Sequence, residues 1–201
     1  MSEKKYWDEK IETLPRADLE ELQRRELKDI LTFAYSNSAY YKEAFNAAGL
    51  TPADFNQLED IQKFPFTNKA TQRERQAKGG LLGDMIAVSE DDVVFVSASS
   101  GSTGVPTLSP FTKQDFDEWQ DVESRLFYGA GMRKHDRYVH ALNFSLFVGG
   151  PDVIGAQNLG ALCIWGRNCA IGTTAFYFKR IPTDDYLDNS ILCFVSWRNS
   201  P

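Results

Sequence analysis

The stretch Ser97–Thr112, SASSGSTGVPTLSPFT, decides how this chain is read. VVFVSA, ending one residue before Ser99, is β-branched and aromatic and predicts a short buried strand. TLSPFT predicts a second extended piece, so the polar run between them joins two strands. Gly101 and Gly104 free the backbone for positive φ and let a ligand approach closely. Successive N–H groups in such a turn form an anion-binding concavity, and Ser99, Ser100, Ser102 and Thr103 add hydroxyl donors. Polyphosphate is the guest this chemistry fits. It is not a Walker loop: the glycines are too close together, no Lys-Ser/Thr pair follows, and no helix opens directly behind it. Ser and Gly are also ordinary turn residues, so a plain polar hairpin is the competing reading.

Working outward, the first half reads as helix. Leu19, Leu22, Leu27, Ile30, Leu31 and Ala34 recur at helical spacing, with Asp18 as the expected N-cap. SAYYKEAFNAAG predicts a second helix stopped by Gly49. TPADFNQLEDIQKFP reads as a turn and a short helix closed by Pro65, and Thr67 is the expected cap of a helix over NKATQRERQ. On the far side of the loop, Thr112 with Asp115 suggests a capping box opening a helix that Gly129 or Gly131 ends. RYVHAL and ALCIW predict further strands. Strands alternating with helices give an α/β class: a helical layer followed by a mixed sheet and helices.

The 201 residues are 42% hydrophobic, enough for a core, and carry a net charge of −6. No basic stripe suits nucleic acid or an acidic membrane. The N-terminus is charged and unlike a signal peptide, and no apolar run approaches the roughly 20 residues that cross a bilayer. The expectation is a cytoplasmic protein with no nucleic-acid or membrane partner. Cys163, Cys169 and Cys193 fit neither a zinc pattern nor a disulfide framework. His135 and His140 match no triad or metal spacing and read as surface or strand residues. The acidic groups of the helix over 113–128 read as a solvated face.

SSGSTGVPT resembles the phosphate-binding signature of adenylate-forming enzymes. Its neighbours narrow the likeness to the phenylacetate–CoA ligase family. YWDEKIETLPRADLEELQRRELKDIL, SAYYKEAF, LEDIQKFPFTNKA, the loop, WQDVESRLFYGAG and GMRKHDRYVHALNFSLFVGGPDVIGAQNLGA follow that family's opening pattern in order. The resemblance covers about residues 6–165. It implies the N-terminal part of the adenylate-forming large domain, incomplete here. It also implies an ATP- and Mg²⁺-dependent activation of a small aryl carboxylic acid, with transfer of the acyl group from AMP to coenzyme A. Ser99, Ser100, Gly101, Ser102, Thr103, Gly104, Pro106 and Thr107 would hold the β- and γ-phosphates. Many relatives carry Lys where this chain has Val105, so one cation near the phosphates is missing.

NFSLFVGG matches the family's aromatic-glycine stretch, which lines the aryl pocket. Phe144 and Phe147 would supply flat apolar walls, and Gly149 and Gly150 the room for a ring. A core strand end that simply packs is the competing reading. Asn143 and Ser145 fall where relatives often have Gly or Tyr. The family's second nucleotide motif, its ribose-binding Asp and its small C-terminal domain with the adenylation Lys have no counterpart here, so no catalytic or metal-binding residue is assigned.

After Trp165 the resemblance stops. Read one base later with permitted codons, the run from Arg167 yields a small-residue turn, an amphipathic helix, an apolar strand and TPSYAL, as the family shows next. The chain is therefore divided into 1–165, a partial ligase domain, and 166–201, an out-of-frame tail expected to be poorly structured. A divergent C-terminus is the alternative. Two functional readings follow: a fragment of an aryl acid–CoA ligase, inactive alone, or a non-catalytic nucleotide- or polyphosphate-binding module. The second includes one subunit of a split ligase. A homodimer or a separately encoded C-terminal half would be the protein partner.

Overall fold

The computed structural model describes residues 4–99, 106–140 and 150–165. They fall into two compact units: Asp8–Lys113, and the residues up to Trp7 together with those from Gln114 onward.

The first unit opens with α1 (Glu9–Glu12), whose N-cap Asp8 accepts the Ile11 N–H, and α2 (Arg16–Asn37). The cap of α2 is Pro15 and not Asp18. Proline has no N–H to lose, and a helix start needs none. Asp18 sits inside the first turn, where its charge favours the helix dipole. Leu31 is buried against Phe45, Phe55 and Phe64, with Leu27, Tyr35, Tyr41, Leu50 and Leu58 packed around them. Ile30, expected on the inner face, is 54% exposed. Each fully buried side chain of this size is worth about 1.5–3 kcal/mol, so the aromatic cluster dominates the unit's stability.

Ser38 caps α3 (Ala39–Ala47), which Gly49 stops at φ 69° while the Leu50 N–H returns to the Phe45 carbonyl. The segment 51–65 makes two 3-10 turns, Pro52–Asp54 and Leu58–Lys63. Asp54 accepts the Thr51 N–H, and Asp60 accepts those of Asn56 and Gln57. Such local side-chain bonds favour tight turns over an α-helix. The cap of α4 (Lys69–Gln76) is Asn68, one residue past the expected Thr67, whose hydroxyl lies 3.4 Å from the Tyr40 hydroxyl. Arg75 ties α4 back to Glu43 at 2.8 and 2.9 Å and to Asp84 at 3.0 Å.

β1 (Val93–Ser99) and β2 (Thr107–Thr112) pair antiparallel. β1 is less buried than its composition suggested: only Ser97 and Ala98 are enclosed, and Val94 is 57% exposed.

In the second unit, α5 (Lys113–Gly129, from Gln114 onward) packs with β3 (Arg137–His140), α6 (Asp152–Leu159) and β4 (Leu162–Trp165). β3 and β4 run parallel with α6 between them in sequence, a β–α–β unit. Phe127, Met132, Tyr138, Val153, Ala156 and Ala161 form its core. Gly155 lets α6 sit directly on α5, where a Cβ would collide with Glu123, and its carbonyl accepts the Ser124 hydroxyl at 2.8 Å. At the N-terminal end Trp7 donates to Asp121 at 2.9 Å.

Candidate functional site

The polar loop sits at the turn of the β1–β2 hairpin, as the flanking apolar runs predicted. The register Ser97↔Ser109 and Ser99↔Thr107 puts four hydroxyl side chains on one face of its stem. Ser97 and Thr107 are each 2% exposed, and neither hydroxyl has a hydrogen-bond partner. Buried hydroxyls are normally satisfied, so two orphans at the base of one loop mark a place suited to water or to an oxyanion. Ser99 is exposed and Pro106 half-buried. Ser100, Gly101, Ser102, Thr103, Gly104 and Val105 lie outside the described residues.

The exit arm is held from α4. Gln76 accepts the Leu108 N–H at 2.9 Å and donates to the Pro106 carbonyl at 3.4 Å; Gln72 donates to the Leu108 carbonyl at 3.3 Å. Both main-chain groups of Leu108 therefore face away from β1, on the outer edge of β2. Pro110 has the same parity, which places its missing N–H on that edge, the position where a strand tolerates proline. Sequence reasoning assigned α4 but missed both glutamines. Their i, i+4 spacing was visible, but their partners lie 30 to 36 residues away.

Of the second candidate segment, Gly150 alone is described; it is buried and directly precedes Pro151, the N-cap of α6. Phe144, Phe147 and Gly149 lie outside the described residues, with Asn143 and Ser145. His140 is buried on β3, with Nδ1 3.0 Å from the Tyr138 hydroxyl, and His135 is exposed, so both are the strand and surface residues expected. On α6, burial and then the Glu123 charge raise the Asp152 carboxyl to about 6. Burial pushes the Cys163 thiol up to about 11, which leaves it protonated and a poor nucleophile. The acidic face of α5 is only partly solvated: Glu123 is half-buried and accepts the Trp119 indole N–H at 3.0 Å. Among the described residues no group of His, Cys, Asp or Glu is placed to hold a metal ion, and no helix is long and apolar enough to cross a membrane.

No protein-family model matches the chain. It is 39% identical over 155 residues to a phenylacetate–coenzyme A ligase of Escherichia coli (strain K12), covering 77% of this chain and 34% of that protein. Against a phenylacetate–coenzyme A ligase of Aromatoleum evansii the identity is 38% over 157 residues, 78% of this chain and 34% of the other. The chain belongs to the phenylacetate–CoA ligase family. It spans about a third of the length of these relatives. Among solved structures, a 2-hydroxyisobutyryl-CoA ligase in complex with 2-HIB-AMP and CoA superposes with a TM-score of 0.80. The identity there is 27%, over 88% of this chain and 37% of that one. The fold is accordingly the N-terminal part of an adenylate-forming CoA ligase, as the ordered motifs of the phenylacetate–CoA ligase family implied.

Proposed function

We propose that residues 1–165 are the N-terminal part of an ATP-dependent aryl acid–CoA ligase, with the hairpin loop Ser99–Thr107 holding the β- and γ-phosphates. The observation that carries this reading is the 39% match to a phenylacetate–coenzyme A ligase. The two orphan hydroxyls at the loop's base support the placement of the phosphates.

In the proposed reaction a carboxylate oxygen of the acid attacks the α-phosphorus of ATP. The bond to the bridging oxygen breaks and pyrophosphate leaves. The CoA thiol then loses its proton as its sulfur attacks the acyl carbon, and AMP departs with the carboxyl oxygen. Positioning and charge stabilisation carry such a step, more than covalent help from the protein. This chain's part is to grip the leaving pyrophosphate through loop N–H groups and the hydroxyls of Ser99, Ser100, Ser102, Thr103 and Thr107. Mg²⁺ comes with ATP as part of the substrate. Phe144, Phe147, Gly149 and Gly150 are proposed to wall the aryl ring, and the site of action is the cytoplasm.

Residues 166–201, all outside the described residues, are proposed to be an out-of-frame translation, so the isolated chain turns over slowly or not at all. ATP–pyrophosphate exchange with phenylacetate tests this, run with the chain alone and with a separately supplied C-terminal half. Exchange only in the mixture supports the ligase reading and makes the chain one subunit of a split enzyme. Exchange by the lone chain overturns the claim that the downstream motifs are indispensable. No exchange in either arm, with polyphosphate still bound, favours a non-catalytic binding module. Resequencing the gene across the codons for Ile164–Asn168 tests the tail directly.

A further inference from the structure

β2 presents an outer edge on which Leu108 offers both an N–H and a carbonyl. An open strand edge usually acquires a third strand or a cover. Here the cover is two side-chain amides one helical turn apart on α4. The Gln76 amide spans the Leu108 N–H and the Pro106 carbonyl as a peptide group of a neighbouring strand would, and Gln72 takes the Leu108 carbonyl.

The position of this clasp matters more than its strength. Pro106 is the first described residue after the loop, and its carbonyl is its sole main-chain hydrogen-bonding group. Thr107, the next residue, pairs with Ser99 on the opposite arm. The exit arm is thus fixed on one edge by β1 and on the other by α4, and residues 100–105 close between two anchored posts. An anion concavity made of N–H groups works only if those groups converge, and convergence in a glycine-containing turn depends on where its ends are held. Val105, which stands just before Pro106, supplies no cation. Affinity then rests on donor geometry alone.

We propose that Gln76, assisted by Gln72, is a positioning residue for the phosphate loop: it sets the exit arm 106–108 and thereby the affinity for polyphosphate. This inference rests on the assignment of Ser99–Thr107 to phosphate.

The test is calorimetric titration of the full chain with inorganic tripolyphosphate, alongside thermal melting. The proteins are wild type, Gln76→Met, Gln72→Met and Phe55→Leu. Phe55 is fully buried in the same unit and bonds to α2 only through its carbonyl, so its variant lowers the melting temperature without touching the clasp. The expected result is binding about tenfold weaker in Gln76→Met and a smaller loss in Gln72→Met. Phe55→Leu should melt lower yet bind as wild type does. If Gln76→Met binds as wild type does, or if Phe55→Leu loses as much affinity, positioning is overturned while the phosphate assignment stands. Should Gln76→Met fail to fold, unchanged binding by Gln72→Met overturns it equally. No binding by folded wild type removes the phosphate assignment itself, and this proposal with it.

Discussion

Gly83 lies where the chain turns back on the end of α4, and replacing it with alanine strains the helix that carries Gln76. Its φ is 77°, and a Cβ there would lie 2.5 Å from the Arg75 carbonyl oxygen and 2.6 Å from the Gln76 Cα. Both are main-chain atoms, so neither can swing aside. The left-handed conformation costs alanine about 1–2 kcal/mol. Forcing a methyl into filled space adds about 1–3 kcal/mol. The lower entropy of the unfolded alanine chain returns about 0.4–1 kcal/mol. The net loss is about 3 kcal/mol, within limits of roughly 1–5. Gly49 is the natural control, because its φ is 69° but no atom lies within 4 Å of the added Cβ. Gly49→Ala should cost about 1 kcal/mol, since only the backbone and entropy contributions apply. Far-UV circular dichroism in urea is the assay: all four tryptophans lie outside Asp8–Lys113, so their fluorescence does not report this unit. If the two variants unfold within about 0.5 kcal/mol of each other, the backbone of Arg75 and Gln76 does not lie against Gly83, and the reasoning fails.

Two carboxyls set opposite pH dependences. The Lys63 ammonium, then the N–H groups of Asn56 and Gln57, hold the Asp60 carboxyl down at about 2. Its stabilisation is complete above the unfolded value near 3.9 and lost as pH falls from there towards 2. Acid unfolding of wild type should be steeper across that window than that of Asp60→Asn, as urea midpoints at stepped pH will register. Asp152, raised to about 6 by burial and by Glu123, favours the folded state below about 4 and loses that advantage as pH rises through 6. Asp152→Asn should therefore gain stability relative to wild type at pH 7 and flatten the pH 4–6 slope.

Much of the fold was legible because its signals are local. Hydrophobic spacing gave α2 and α3, β-branched runs gave β1 and β2, and the Ser–Gly run between them gave a hairpin turn. The errors were local too. Asp18 looked like a cap because its carboxylate suits a helix start, yet Pro15 opens the helix two residues earlier. Thr67 lost the capping role to Asn68, which competes better for the exposed N–H groups. The segment 51–65 became two 3-10 turns because aspartates bonded the nearest amides. The candidate site was legible in its loop and illegible in its support. Gln72 and Gln76 read as surface residues of a polar helix, and only folding brings the edge of β2 against them.

The central claim is that Ser99–Thr107 grips the phosphates of ATP, and a ¹H–¹⁵N NMR titration of the chain with MgATP and with tripolyphosphate tests it most directly. The account predicts saturable shifts at the amides of Ser99, Ser100, Gly101, Ser102, Thr103, Gly104 and Thr107, with tripolyphosphate reproducing most of the MgATP response. A loop whose amides stay still at saturating ligand, or shifts confined to another part of the chain, would contradict it.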